Sequence, residues 1–367
     1  MVREKSVSLL KLRLRKFRRL KRGYYSFLLL FGAYLLSFFL PFIMGYRPIA
    51  LKYDGHYYFP AFASYTYDTF GVGRSKVYLA SELGQQEVNG EPVYGEANYR
   101  ELKKQYAEQD QGNWVLMPPV PYGPTEQFLE REGTPPYPPS LSHWMGTDAS
   151  GRDVLVRLAY GYRVSISFAL LVTVVAYTFG TTVGAFLGYY GSWLDILGLR
   201  FVEIWGAVPF LYTVIILASI FQPSFLLLVT ILASFGWLGI AYYIRGEFYR
   251  EKNKDYVAAA IAVGEGNLAI IFKHILPNAL TPIIAFAPFA IVGMISALVS
   301  LDFLGFGLPV PTPSWGELLR QAKDGGMQAW HMVVFPLGAL FVTLQLVVFI
   351  GEAIREAFDP KVFSRLQ

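Results

Sequence analysis

The chain has 367 residues, with 32 Lys and Arg against 27 Asp and Glu, four His and no Cys. The missing cysteine excludes disulfides, Cys-ligated zinc, iron–sulfur clusters and thiol nucleophiles, and it suits either redox compartment. Charged residues make up 16% and apolar residues 54%, where a soluble domain carries about 25% charge. Disorder is therefore excluded for the bulk of the chain, and an all-α polytopic membrane protein is expected.

Residues 1–23 hold ten Lys or Arg and one Glu, whereas the whole chain is only +5. The positive charge is thus an N-terminal property, expected as a basic cytoplasmic tail. Leu10, Leu14 and Phe17 share one helical face, which suits a helix lying on a lipid surface. Residues 24–44 follow with 21 uncharged positions, enough for a first span. Basic residues before a span hold that end in the cytoplasm, which argues against a nucleic-acid reading. The run is too long for a signal peptide and has no small-residue cleavage site.

Residues 45–145 are expected as an extracytoplasmic insert of mixed or irregular structure. From 47 to 145 the segment has 8 Lys and Arg against 12 Asp and Glu, with PPVPYGP at 118–124 and PPYPP at 135–139. Residues 53–62 and 113–117 have the aromatic content of strands. Five further apolar runs are placed at about 163–190, 198–221, 224–245, 279–301 and 331–355, within a core of 146–360. Six spans return the C-terminal tail, 361–367 with Lys361 and Arg365, to the cytoplasm. Loops 191–195 and 246–278 then lie inside, and 221–224 and 302–330 outside. Arg250, Lys252, Lys254 and Lys273 support the inside assignment of 246–278.

Gly180, Gly184 and Gly188 repeat every four residues, a stripe that lets another helix approach closely. Pro209, Pro282, Pro288 and Pro336 fall inside spans, where proline kinks a helix; gating and static kinks fit equally. No G-x-x-x-x-G-K-[ST] occurs, and GVGRSK at 71–76 lacks the flanking strand and helix. The histidines, His56, His143, His274 and His331, have no metal-ligand spacing, so no metal or cofactor is expected on the chain. Asp54 and His56 fit a surface feature better than a catalytic pair. Charges near the spans (Arg200, Glu203, Glu352, Arg355, Glu356) cluster at span ends, with no carboxylate chain for a proton relay. The chain is not expected to be an enzyme.

Segment 251–278, EKNKDYVAAAIAVGEGNLAIIFKHILPN, suggests two short helices. Ala258, Ala259, Ala260 and Ala262 favour helix, Gly264 stops it, and a second helix over about 267–275 ends at Leu276-Pro277. A small-residue surface of this kind suits docking into a groove as well as it suits an ordinary surface hairpin.

The segment resembles the EAA signature of ABC-importer permeases, E-A-A-x3-G-x9-I-x-L-P, at Ala258, Ala259, Ala260, Gly264, His274, Leu276 and Pro277. Ala258 replaces the acidic residue and His274 the Ile. The resemblance implies that residues 255–277, Asp255 included, form a coupling element for an ATPase subunit. HWMGTDASGRDVLVRLAYGYRVSIS (143–167), DFLGFGLPVPTPSWGELL (302–319) and the closing Asp359-Pro360 resemble the dipeptide/oligopeptide/nickel permeases of the C type. KYDGHYYFP (52–60) and GNWVLMPPVPYGP (112–124) narrow this to the E subunit of Yej-type oligopeptide and microcin C permeases. Implied are the type I importer fold with six spans, a second permease of the B type, two ATPase subunits or domains holding ATP and Mg, and a periplasmic peptide-binding protein. So are a bacterial inner-membrane location and import of peptides or peptide-like antibiotics. Tyr57, Tyr58, Trp114 and Trp315 would face the binding protein or form the insert's own core. Gly146, Asp148, Gly151, Arg152 and Asp153 would organise a turn before span two. An uncoupled membrane receptor or assembly protein, working through 47–145, is the alternative.

Overall fold

The computed structural model describes residues 9–71, 75–88, 91–92, 94–129 and 133–358. The Asp359-Pro360 pair, the tail 361–367, part of GVGRSK and the first eight residues lie outside the described residues. Along the chain run α1 (Leu9–Arg19), α2 (Lys21–Ser37), β1 (Ala50–Tyr53), β2 (His56–Tyr58), α3 (Tyr99–Gln109) and β3 (Trp114–Leu116). There follow α4 (Val154–Tyr190), α5 (Ser192–Ala207), α6 (Phe210–Ile220), α7 (Phe225–Lys252), α8 (Asp255–Ala262), α9 (Asn267–Leu304), α10 (Trp315–Gly325) and α11 (Trp330–Phe358).

Among the described residues α4, α7, α9 and α11 are long and apolar enough to cross a bilayer, and α5 with α6 would make a fifth span bent by 71°. The 198–221 run, expected as one span kinked by Pro209, is thus two helices with a break between them. Val208 precedes a proline and is pushed into extended backbone, with ψ 123°. Pro209 then starts α6 instead of sitting inside a helix. Pro282, Pro288 and Pro336, by contrast, lie within continuous helices. The apolar run 24–44 is also not one helix. α2 ends at Ser37, and a short turn of helix, Leu40–Ile43, resumes with Pro41 near its start.

The chain divides into two compact units. The first comprises Met1–Phe31, Val164–Val310 and Gly338–Gln367. Its core is built from Phe168 and Val172 of α4, Val202 of α5, Val214 of α6, Leu228, Leu232 and Trp237 of α7, and Leu298 of α9. The glycine stripe makes the seam between α4 and α7. A Cβ on Gly184 would meet the Ala241 carbonyl oxygen at 2.5 Å, and one on Gly188 would meet Phe248 Cβ at 2.6 Å. Backbone-to-backbone approach of this kind is what small residues permit between apolar helices. A second apolar layer, with Ile244, Phe248, Val257, Ile270, Ile271 and Ala279, lies beneath α8.

The second unit comprises Gly32–Arg163 and Pro311–Leu337. Its three-stranded sheet has the order β2-β1-β3, all antiparallel, with Lys52 opposite Tyr57 on one side and Trp114 on the other. Asp54-Gly55 makes the tight β1–β2 turn, both residues at positive φ. Period-two alternation buries Val115 between exposed Trp114 and Leu116. Asn98 caps α3 by accepting from the Glu101 amide at 3.3 Å. Helix α3 lays Tyr99, Leu102 and Tyr106 on Leu51, Leu83 and Val115.

Candidate functional site

The EAA-like segment forms a compact element of the first unit. At its base Glu251 is buried and accepts hydrogen bonds from Lys254 Nζ at 2.7 Å and the Tyr256 hydroxyl at 2.9 Å. The end of α7 is thereby tied to the start of α8. A turn at Asn253–Lys254 precedes α8, with Asp255 in its first turn where a carboxylate complements the helix dipole.

One face of α8 is committed to packing. Val257 and Ala260 are buried against Ile270, Ile271 and Ile275. The opposite face is open, with Ala258 and Ala259 exposed, Ile261 55% exposed and Val263 84% exposed. Gly264 ends the helix at φ +84°, where a side chain would be strained. Its amide donates to the Ile261 carbonyl and the Glu265 amide to the Ala260 carbonyl, closing the helix end. Leu268 and Phe272 extend the exposed apolar patch beyond the turn. Short apolar side chains on this exposed face, between the Glu251 tie and the Gly264 turn, make a surface suited to a groove on another protein.

The two departures from the EAA pattern have separate consequences. Ala258 leaves the open face without its carboxylate. His274, in place of Ile, brings its Nε2 within 2.8 Å of Glu265 Oε2, with Lys273 Nζ 3.5 Å from the other oxygen. Hydrogen bonding to His274 holds the Glu265 carboxyl below the usual carboxylate range. The expected end of the second helix at Leu276-Pro277 is not observed. A π-turn over Ile270–Ile275 widens the helix just before Pro277, and the chain continues as α9. Widening the turn removes the conflict between the proline ring and the preceding carbonyls. Leu276 is half-buried and Pro277 exposed.

In the second unit Tyr57 and Trp114 are 61% and 42% exposed, their ring centroids 6.3 Å apart across Lys52. Tyr58 turns inward, edge-on to Tyr78 at 5.4 Å. Trp315 is not available to a partner. It is fully buried, its indole Nε1 donating to the Leu158 carbonyl at 3.0 Å. The structure therefore moves it from the candidate contact residues to the core.

Sequence reading singled out Gly146, Asp148, Gly151, Arg152 and Asp153 as a turn and missed its main partner, Glu317. Gly146 and Gly151 take positive φ, and Asp148 Oδ1 accepts from the Ser150 and Arg152 amides. Arg152 binds Asp148 at 2.7 Å and Glu317 at 2.9 Å, while Arg157 binds Glu317 and lies 3.3 Å from Asp148. All four side chains are buried. His143 Nδ1 sits 2.7 Å from Asp153, and His331 Nε2 2.9 Å from the Thr147 carbonyl oxygen. The arrangement is a balanced ion cluster that fixes loop geometry. Charge in the GRD-x-x-x-R run was a usable signal for a buried acid elsewhere.

The binding-protein-dependent transport system inner membrane component family matches residues 180–364. The inner membrane ABC transporter permease protein YejE of Escherichia coli (strain K12) is 39% identical over 350 residues, covering 94% of this chain and 95% of that protein. The peptidoglycan transport system permease protein YejE of Agrobacterium fabrum is 36% identical over 375 residues, covering 96% and 93%. The oligopeptide transport system permease protein OppC of Haemophilus influenzae is 40% identical over 223 residues, covering 60% and 70%.

Proposed function

The chain belongs to the binding-protein-dependent transport system inner membrane component family, and on that premise we propose that it is one of two permease subunits of an ATP-driven peptide importer. It is a multi-pass inner-membrane protein, and ATP hydrolysis resides on partner chains. The observation that carries the mechanism is the exposed face of α8, a helix fastened to α7 through Glu251. An ATPase closing on ATP presses on that face, and α7 and α9, which flank the helix in sequence, move with it. ATP supplies the bias because it binds the closed ATPase more tightly than the open one.

In this reading α5 with α6 counts as one span. Helix α2, about 25 Å long at 1.5 Å per residue, counts as another with Leu40–Ile43 completing it. Six spans leave both termini in the cytoplasm and residues 45–145 in the periplasm. Tyr57 and Trp114 then face a periplasmic binding protein. The substrate is an oligopeptide or peptide-like antibiotic. The name of the Agrobacterium relative favours peptides derived from peptidoglycan as a second reading.

The test is purification of the tagged chain from its own membranes in gentle detergent, read by mass spectrometry. A second permease and an ATPase are expected to co-purify, and Gly264→Pro should release the ATPase alone. Recovery of the chain without any ATPase, even after crosslinking at Ala259, would overturn the importer reading. Uptake of defined oligopeptides against peptidoglycan fragments then separates the two substrate readings.

A further inference from the structure

Helix α1 carries Lys11, Arg13, Arg15, Lys16, Arg18 and Arg19, and α2 opens with Lys21 and Arg22. Seven of these eight cations fall into two groups. Arg13 lies over the Phe358 ring at 4.9 Å, and Lys16 Nζ donates to the Glu356 carbonyl at 2.5 Å. That carbonyl belongs to the last turn of α11, where backbone acceptors lack helical partners and a cation is favoured. Gly23 presses on the same helix, since a Cβ there would meet the Phe349 carbonyl oxygen at 2.8 Å. These contacts fix α1 against the end of α11.

The other group points away. Arg15, Arg18, Arg19, Lys21 and Arg22 are exposed, and none has an ion-pair partner among the described residues. The surface next to them is apolar. Leu14 is 50% exposed, and Tyr25, Phe27, Leu28, Leu29 and Phe31 of α2 are exposed as well. Only Leu20 separates the two helices, and backbone bonds from Leu20 to Phe17 and from Tyr24 to Leu20 carry the chain across. A cluster of exposed cations thus adjoins the exposed apolar surface of α2, which the proposed reading counts as the first span.

We propose that α1 is a binding site for anionic phospholipid headgroups. Arg15, Arg18, Arg19, Lys21 and Arg22 hold the headgroup phosphates, while Arg13 and Lys16 clamp the helix to α11. Lipid is favoured over an acidic protein because the cations are continuous with exposed apolar side chains. The net charge of the headgroup matters, since each Lys or Arg near an anionic surface contributes about fivefold to affinity. The site joins leaflet composition to the end of α11, independently of what the protein transports.

The full-length chain, placed in nanodiscs of phosphatidylcholine with a minor fraction of phosphatidylglycerol, tests this. After a delipidating detergent wash, retained lipid is read by mass spectrometry. Wild type should retain phosphatidylglycerol over phosphatidylcholine. The triple variant R15Q/R18Q/R19Q should lose that preference by about tenfold or more, and R15K/R18K/R19K should keep it. Lys11, Arg13, Lys16, Lys21 and Arg22 remain to hold the chain's orientation. Absence of a preference in wild type, or an equal preference in the glutamine variant, overturns the proposal. So does a glutamine variant that keeps its lipid but loses a protein partner.

Discussion

The seam between α4 and α7 gives a prediction whose sign depends on position. In Gly184→Ala the new Cβ falls 2.5 Å from the Ala241 carbonyl oxygen and 3.1 Å from Ala241 Cα. Both are backbone atoms and cannot rotate away. Regaining ordinary contact requires the helices to part by about 1 Å, which forfeits a quarter to a half of the attraction of each pair along the seam. Overpacking of this kind costs about 1–3 kcal/mol, against about 0.5–1 kcal/mol recovered by replacing glycine with alanine inside a helix. Gly184→Ala should therefore destabilise by about 1 kcal/mol at mid-range and by up to about 2.5 kcal/mol. Gly239 lies on α7 itself, and a Cβ there meets nothing within 4 Å. Gly239→Ala should stabilise by about 0.5–1 kcal/mol. Thermal unfolding in detergent, followed by tryptophan fluorescence, should move the two midpoints in opposite directions. A Gly184→Ala midpoint at or above wild type, or moving with Gly239→Ala, would refute the close-approach reading.

Further outcomes follow from the other sites. Glu317→Ala leaves Arg152 and Arg157 buried with one carboxylate, Asp148, between them, so a loss of about 3–5 kcal/mol is expected. Limited proteolysis should find the second unit opened, and replacing both Arg157 and Glu317 with apolar residues should restore much of its resistance. At the exposed face of α8, if it is the proposed docking element, Ala259→Trp should abolish peptide-stimulated ATP hydrolysis in the assembled transporter while leaving the chain folded; full uptake in that variant would disprove docking through α8. Glu265 has its carboxyl held below its ordinary value of 4.5 by His274. Its contribution to the turn is present above that ordinary value and is lost as pH falls through the lowered one. Protection of amides 264–268 relative to their intrinsic exchange rates should fall in acid, and Glu265→Gln should remove that dependence.

Most of the helical layout was legible because apolar length and small-residue spacing are local properties. The Gly180–Gly184–Gly188 stripe predicted a close helix seam, and the structure identifies α7 as its partner. Breaks were less legible. Pro209 splits its helix while Pro288 does not, because what decides is whether neighbouring structure can absorb a proline. Pro277 is absorbed by a π-turn that no composition announces. The ion cluster was hidden for another reason. Arg152 and Glu317 are 165 residues apart, and pairing over that separation is a property of the folded chain. Trp315 was left open between partner contact and core on the same account, since an aromatic residue in a polar loop carries no mark of the carbonyl at Leu158 that receives its indole.

Glu317 also sets a schedule. It follows Arg157 by 160 residues, and at about 5–20 residues per second the ribosome needs roughly 10–30 s to deliver it. Through that interval both arginines have been made and their second carboxylate has not. A nascent chain ending before Trp315 would possess α4, α7 and α9 yet leave the second unit one carboxylate short. Completion of that unit is a late event in biosynthesis, and it awaits α10 however early its first residues were ready.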